Sequence, residues 1–445
     1  MSDQITPGVY VEETSFTPNS IVPVPTYIPV FIGYTEKAIY RGRDCTRVPV
    51  KIKSFDEFKT IFGKAPEVRF AYTATGIQPQ SVLYRMYAGV KWFFQHKETA
   101  CYILSLGSYD YELATLTDIR PFSDALKILE KEPEITLVVV PDAASLITDI
   151  RGNDLGKVYD NCYRLQSKMI DHCGKMKDRF AILDVPGGFP PEDQLDPVKA
   201  FRKGIIPIDP AHQSFAAAYY PYLFTKILEE DDFAENGLFS TYDRSKKQAV
   251  LEYLNLMPPG AGMAGVYAKT DSEKGVWKAP ANVNVLNVVK PAIAINDTDQ
   301  HDLNISGDGK SICAIREFSH AGTLVWGART LAGNDNEWKY VSVRRTCIFI
   351  EESVKQGLKP FVFEPNDANT WASVKSMVEN FLYSLWREGA FPGAKASEAY
   401  YVRVGLGTTM TAQDVLNGIL RVQLGVAMVK PAEFIILALE EKMVS

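Results

Sequence analysis

Along the chain the hydrophobic positions switch between period two and period 3.6, which predicts strands alternating with helices. YIPVFIG (27–33) is apolar without a break, as expected of a strand buried on both faces and stopped by Gly33. Helical spacing follows in SFDEFKTIFGK, where Phe55, Phe58, Ile61 and Phe62 recur, and in VLYRMYAGVKWFF (82–94), where Val82, Met86, Val90 and Phe93 share a face. From 100 to 185 the alternation is clearest. CYILSL (101–106) reads as a strand, and PFSDALKILEK (121–131) as an amphipathic helix with Pro121 in its first turn. EITLVVVPD (134–142) is a β-branched strand ended by Pro141, LGKVYDNCYRLQSKMIDHC (155–173) is a helix, and RFAILDVPGG (179–188) is a strand stopped by Pro186-Gly187-Gly188. This order implies right-handed crossovers onto a mostly parallel sheet covered by helices, an α/β core.

Downstream the pattern is more broken. Residues 186–260 are Pro-rich and acidic at Glu229 to Asp232, with SFAAAYYPYLFTKIL (214–228) reading as a helix. Short strand-like pieces punctuated by Gly and Asn follow, until VRRTCIFIEESVKQGL (343–358) reads as a helix again. The Asn and Asp residues of FVFEPNDANT can cap the next helix, WASVKSMVENFLYSLW, whose apolar face is Trp371, Val374, Met377, Val378, Phe381, Leu382 and Leu385. Gly389 ends it. YYVRVGL, ILRVQLGVAMV and EFIILALEE read as strands, so the C-terminal region is α+β.

The two ends stand apart from this pattern. Val9 and Val11 alternate with Tyr10 and Glu12 as in a half-buried strand, but Pro18, Pro23 and Pro25 stiffen the chain behind it into an extended tether. At the other end, Phe434, Ile436 and Ala438 lie on one face of a strand and Ile435, Leu437 and Leu439 on the other, so both faces are apolar. Neither strand has an evident partner nearby.

Composition narrows the function classes. A length of 445 residues suffices for two or three domains, and 46% hydrophobic with 23% charged residues is ordinary for a globular chain. The net charge of −6, without a Lys/Arg cluster longer than Lys246-Lys247 or Arg344-Arg345, argues against a nucleic-acid partner. The N-terminus lacks a secretory signal, and no apolar run is long enough to span a bilayer. The six cysteines form no CxxC and no histidine stands at finger spacing. They read as buried reduced thiols of a cytosolic product.

Three stretches carry possible chemistry. GAGMAG (260–265) has the letters of a dinucleotide fingerprint, but Pro258-Pro259 precede it and no acidic residue occupies 279–296. A glycine-rich turn leading into a strand at Val266-Tyr267 is the better reading. DLNISGDGK (302–310) starts like a calcium loop, yet position twelve is Cys313, so a hairpin turn is expected. Asp142 and Asp184 end neighbouring predicted strands, where an α/β enzyme could use them as acid and base. No GxSxG, HExxH or P-loop accompanies them, and the five histidines are scattered. No catalytic, cofactor or metal site emerges.

Across nearly its whole length the sequence resembles contractile tail sheath proteins, those of phage tails and phage-tail-like injection systems. The resemblance rests on PGVYVEE (7–13), SFDEFKTIFG (54–63), DRFAILDVP (178–186), AAAYYPYL (216–223), PPGAGMAGVYAKTDSEKGVWKAPAN (258–282), VWGARTL (325–331), FVFEPND (361–367), SLWREGAFPG (384–393) and KPAEFIILAL (430–439). It implies a non-enzymatic subunit, without cofactor, of hexameric rings stacked helically around an inner tube, whose contraction drives the tube through a target envelope. The implied organisation is an N-terminal arm and tether (1–22), an α/β sheath core with inserted subdomains (23–342) and a C-terminal α+β domain ending in an arm (343–445). The arms would donate strands to neighbouring subunits through Val9, Tyr10, Val11 and Glu12, and through Phe434, Ile435, Ile436, Leu437, Ala438 and Leu439. Implied partners are further copies of the chain, the tube protein, baseplate and terminator proteins and paralogous sheath chains. Assembly would take place in the cytoplasm, and the product would be part of a phage tail or tail-like particle. Two rival readings remain: an α/β hydrolase or transferase using Asp142 and Asp184, and a static tube or capsid-like assembly protein.

Overall fold

In the computed structural model, which describes residues 20–73, 76–148, 154–189, 196–236, 239 and 242–433, the apolar run at 27–33 lies inside a large mixed sheet. Its described strands are β1 Pro29–Thr35, β2 Val50–Ile52, β3 Cys101–Ser108, β4 Leu137–Val139, β5 Phe180–Asp184, β6 Ala216–Tyr220, β7 Val283–Asn284, β8 Cys313–Phe318 and β9 Gly322–Val325. Their order is β7-β9-β8-β6-β5-β4-β1-β3-β2. Every pairing from β8 to β3 is parallel. The edges are antiparallel, β2 on β3 at one side and β8-β9-β7 at the other. Phe31 pairs with both Ile103 and Val139, so the crossover from β3 to β4 passes over β1, which the local pattern of 100–185 does not reveal.

The period of two sorts the strand side chains into two cores. Phe31, Leu137, Val139, Phe180, Ile182, Ala217 and Tyr219 face one layer, which includes Met86, Trp92, Phe93, Met263 and Tyr267. Val30, Ile32, Val138, Ala181, Leu183, Ala216 and Ala218 face the other, with Phe122, Leu126, Cys162, Met169 and Phe201. The first layer contains helices α1 (Met86–His96) and α3 (Gly260–Lys274), and the second contains α2 (Asp160–Met176). This is the helix-covered parallel sheet expected, with antiparallel margins.

Three local expectations fail, each for a physical reason. Residues 214–228 are not a helix. Ala216–Tyr220 is β6, buried along its whole length, and Leu223–Thr225 is a further short strand. Alanine has high helix propensity, but Pro221 lacks the N–H a helix would use, and small residues let both helical layers approach the strand. GAGMAG is not a turn, and Val266 and Tyr267 are not a strand: all lie in α3. Each glycine costs a helix about 1 kcal/mol relative to alanine. Here close packing offsets that cost, because a Cβ at Gly262 would lie 2.6 Å from the Trp92 ring and one at Gly265 2.6 Å from His96. DLNISGDGK is not a hairpin either. Asp302 and Asn304 belong to the helix Asp297–Asn304, Asp302 pairs with Arg202 at 2.9 Å, and Ser306–Gly309 makes the turn that follows.

The chain divides into two compact units. The larger comprises the described residues of 25–350 together with 429–433, and the smaller comprises 20–24 with 351–428. The helix α4 (Val341–Leu358) contributes residues to both. In the smaller unit Ile21 is buried, within van der Waals reach of Gly357, and the Val24 N–H donates to Ser353 Oγ at 3.1 Å. The stretch just before Pro25 is therefore docked rather than a free tether. Helix α5 (Ala368–Arg387) is capped by Asp367 and buries Val374, Met377, Val378, Phe381, Leu382 and Leu385. The predicted strands after it form a two-stranded antiparallel sheet, β10 (Tyr400–Val404) and β11 (Val422–Val426). The proposed strands at Val9–Glu12 and Phe434–Leu439 lie outside the described residues.

Candidate functional site

Asp142 and Asp184 do stand at the ends of adjacent parallel strands, the first opening a short 3-10 turn after β4 and the second closing β5. Their oxygens are engaged by backbone amides from distant parts of the chain. Asp142 accepts from the N–H of Tyr34 at 2.8 Å and of Arg85, just before α1, at 2.6 Å. Asp184 accepts from the N–H of Gly260, the first residue of α3, at 2.6 Å. A carboxylate at a helix N-terminus satisfies donors left without intrahelical partners and faces the positive end of the helix dipole. The pair thus anchors the two helices that pack against each other through GAGMAG.

Both carboxyls are buried. Desolvation pushes Asp142 up to about 6 and Asp184 up to about 7, against the opposing pull of the backbone N–H bonds and of Arg85. Raised carboxyls often mark acid–base sites, but here glycine backbone packs closely against both carboxylates. A Cβ at Gly33 would fall 2.5 Å from Asp142 Oδ2, and one at Gly260 would fall 2.8 Å from Asp184 Oδ2. Cys162, which feels the charge of Asp184, is itself buried, and desolvation holds its thiol protonated. His96 is pushed down to about 4 by burial; its Nδ1 lies 3.0 Å from the Trp92 carbonyl and its Nε2 accepts from the Leu286 N–H at 3.0 Å. Among the described residues no group of three or more His, Cys, Asp or Glu could hold a metal. No described helix is long and apolar enough to cross a membrane.

The unfinished feature is the sheet of the smaller unit. β10 and β11 pair from Tyr400↔Val426 to Val404↔Val422, and no further strand adjoins either edge among the described residues. The Ala427 N–H donates to the Ala399 carbonyl, which identifies 399/427 as a hydrogen-bonded pair. By alternation 401/425 and 403/423 are hydrogen-bonded too, whereas the main-chain groups of Val422, Leu424 and Val426 point to the outer edge of β11. Side-chain packing holds the hairpin: Val402 is buried, the Tyr400 ring lies 6.3 Å from that of Phe391, and the Tyr400 hydroxyl donates to Glu379 O of α5 at 3.4 Å. Tyr401 remains exposed and close above Gly425, where a Cβ would fall 2.3 Å from its ring. Two five-residue strands with open edges form a template for strand addition. Sequence reasoning found both strands but not their isolation, because it cannot count a strand's neighbours.

Comparison with known proteins bears on this geometry. Residues 333–440 match the phage tail sheath C-terminal domain family. A tail sheath protein of Burkholderia phage BcepMu is 32% identical over 146 residues, covering 32% of this chain and 30% of that protein. The tail sheath protein of Enterobacteria phage T4 is 24% identical over 195 residues, 42% of this chain and 28% of that one. The matched stretches thus span about a third or less of these curated relatives. Solved structures match more completely. The sheath of the extracellular contractile injection system PVC, in its contracted state, superposes with a TM-score of 0.67 at 27% identity, covering 98% of both chains. The contracted helical sheath of the anti-feeding prophage gives a TM-score of 0.65 at 28% identity, covering 98% of this chain and 99% of that one.

Proposed function

The chain belongs to the contractile tail sheath family, and from that premise we propose that it is the structural subunit of a sheath that contracts around an inner tube. Copies assemble as stacked six-membered rings, seat on a baseplate, and shorten to drive the tube through a target envelope. The observation that carries this reading is the match over 98% of the chain to sheaths in the contracted state. Strands donated by the arms, Val9–Glu12 and Phe434–Leu439, complete the two-stranded sheet of the smaller unit in neighbouring copies. Each added main-chain hydrogen bond is worth on the order of 1 kcal/mol, so one arm is weak and a lattice of arms is strong. Tube and terminator proteins are the remaining partners. No turnover is required, since contraction can release energy held in a kinetically trapped lattice. The reading of Asp142 and Asp184 as a reactive pair finds no support in their surroundings.

The test is electron microscopy of the purified chain beside a variant lacking residues 1–13. Full-length protein should form long sheaths of two lattice lengths, while the truncated protein keeps its circular dichroism spectrum and forms none. Normal sheaths from the truncated protein would refute strand donation by the N-terminal arm. A single, invariant lattice length would favour a static tube.

A further inference from the structure

The C-terminal chain leaves the smaller unit after β11 and enters the larger one at 429–433 with no helix or strand of its own. Two side chains tie it there. The Lys430 ammonium donates to Asn336 O at 2.9 Å. Glu433 meets Arg329 in a two-pronged pair, Nε to Oε1 at 2.8 Å and Nη2 to Oε2 at 2.5 Å, and accepts from the Tyr340 hydroxyl at 3.2 Å. Arg329 is buried, and its Nη1 donates to the carbonyls of Asn304 and Gly333 at 3.1 and 3.3 Å. Its backbone is fixed as well. Arg329 and Tyr340 form a β-bridge, the Thr330 N–H bonds to Lys339 O at 2.8 Å, and the Val341 N–H bonds to Ala328 O at 3.0 Å.

A planar guanidinium held from behind by carbonyls presents its remaining donors in one orientation, matched to a carboxylate. We propose that Arg329 and Tyr340 form a socket that pins Glu433, fixing the root of the C-terminal arm so that a pull on the arm is delivered to the core. The proposal deepens the sheath reading and rests on it for the meaning of the pull. The socket lies immediately before Phe434, the first residue of the proposed donated strand. Without it an arm under load would be held only by the single Lys430 hydrogen bond and then by β11, whose ladder would be drawn open from its end. With it the load passes to Arg329, backed by the segment that leads into α4. Arg329 is a positioning residue: it acts through Glu433 and sets where the arm begins.

The test is hydrogen exchange on the purified full chain, comparing wild type with Glu433→Gln, Glu433→Ala and Arg329→Lys, alongside sheath imaging. Glutamine keeps the size of the side chain and loses its charge, and lysine keeps the charge and loses the fork. The Thr330 and Val341 amides, whose bonds to Lys339 O and Ala328 O frame the socket, should exchange at least about tenfold faster in all three, with exchange in β4, β5 and β6 unchanged. Assembled Glu433→Gln sheaths should break into short pieces when contraction is triggered. Unchanged exchange at Thr330 and Val341 in both Glu433 variants overturns the socket. Faster exchange with intact, fully contracting sheaths overturns its load-bearing role. Failure of wild-type protein to form sheaths would strike instead at the proposed function, and the exchange comparison would still decide the socket.

Discussion

The nine-stranded sheet of the larger unit and the two-stranded sheet of the smaller one are opposite solutions to the same problem. The sheet of the larger unit is covered on both faces, and its edge strands β2 and β7 are only three and two residues long. Short edges offer little to pair with, so that sheet is complete within one chain. The sheet of the smaller unit has two five-residue strands, edges open among the described residues, and an exposed tyrosine on its surface. An isolated hairpin is marginal in water, and this one is supported on one side by α5. Under the proposed function the contrast assigns assembly to the smaller unit: a chain that polymerises would keep its finished sheet buried and leave the unfinished one available.

The largest effect should come from breaking the finished sheet's support. Gly262→Leu would drive a side chain into the Trp92 indole, which is fully buried and tied through Nε1 to Leu286 O at 2.9 Å. Overpacking at such a site costs about 3 kcal/mol or more. Soluble yield and melting temperature should both fall sharply; a variant as stable as wild type would show that α1 and α3 are not closely packed.

Leu424→Pro should do the reverse, sparing the fold and striking assembly. Proline removes an outward-pointing N–H while the hydrogen bonds of 401/425 and 403/423 remain. The expected outcome is a folded chain, with melting temperature within a few degrees of wild type, that forms no long sheaths in electron micrographs. Wild-type polymer from this variant would exclude the β11 edge as the acceptor.

A smaller effect sharpens the contrast from the side of the large sheet. Asp142 and Asp184 have folded values of about 6 and about 7, above the ordinary value of 3.8. Their contribution to stability is therefore whole below about pH 4 and is lost as pH rises through about 6 and about 7. Urea midpoints at pH 5 and pH 8 should differ more in wild type than in Asp184→Asn, which cannot ionise. Equal pH dependence in the two proteins would refute this assignment.

How much of this was legible in the sequence follows from how each residue is buried. β1 announced itself as an unbroken apolar run, and α5 by seven apolar residues at helical spacing and its Asp367 cap. The Ala216–Tyr220 strand and the GAGMAG helix did not, because an element buried on every side loses the period that distinguishes strand from helix. Asp142 and Asp184 were found in place but not in role, since the amides they bind come from residues 34, 85 and 260. The docking of Ile21 was hidden for the same reason: its neighbour, Gly357, lies over three hundred residues away. Isolation of the hairpin is a property of topology, and no local pattern encodes it.

The claim that the hairpin is finished by another copy is tested most directly by amide exchange at β11, measured in unassembled chain and in assembled sheath. Val422, Leu424 and Val426, whose N–H groups point outward, should slow by about a hundredfold or more on assembly, with Gln423 and Gly425 changing less because β10 already holds them. Equal exchange of the outward amides in the two states would contradict strand addition at this edge and would leave the lattice to be held by some other surface.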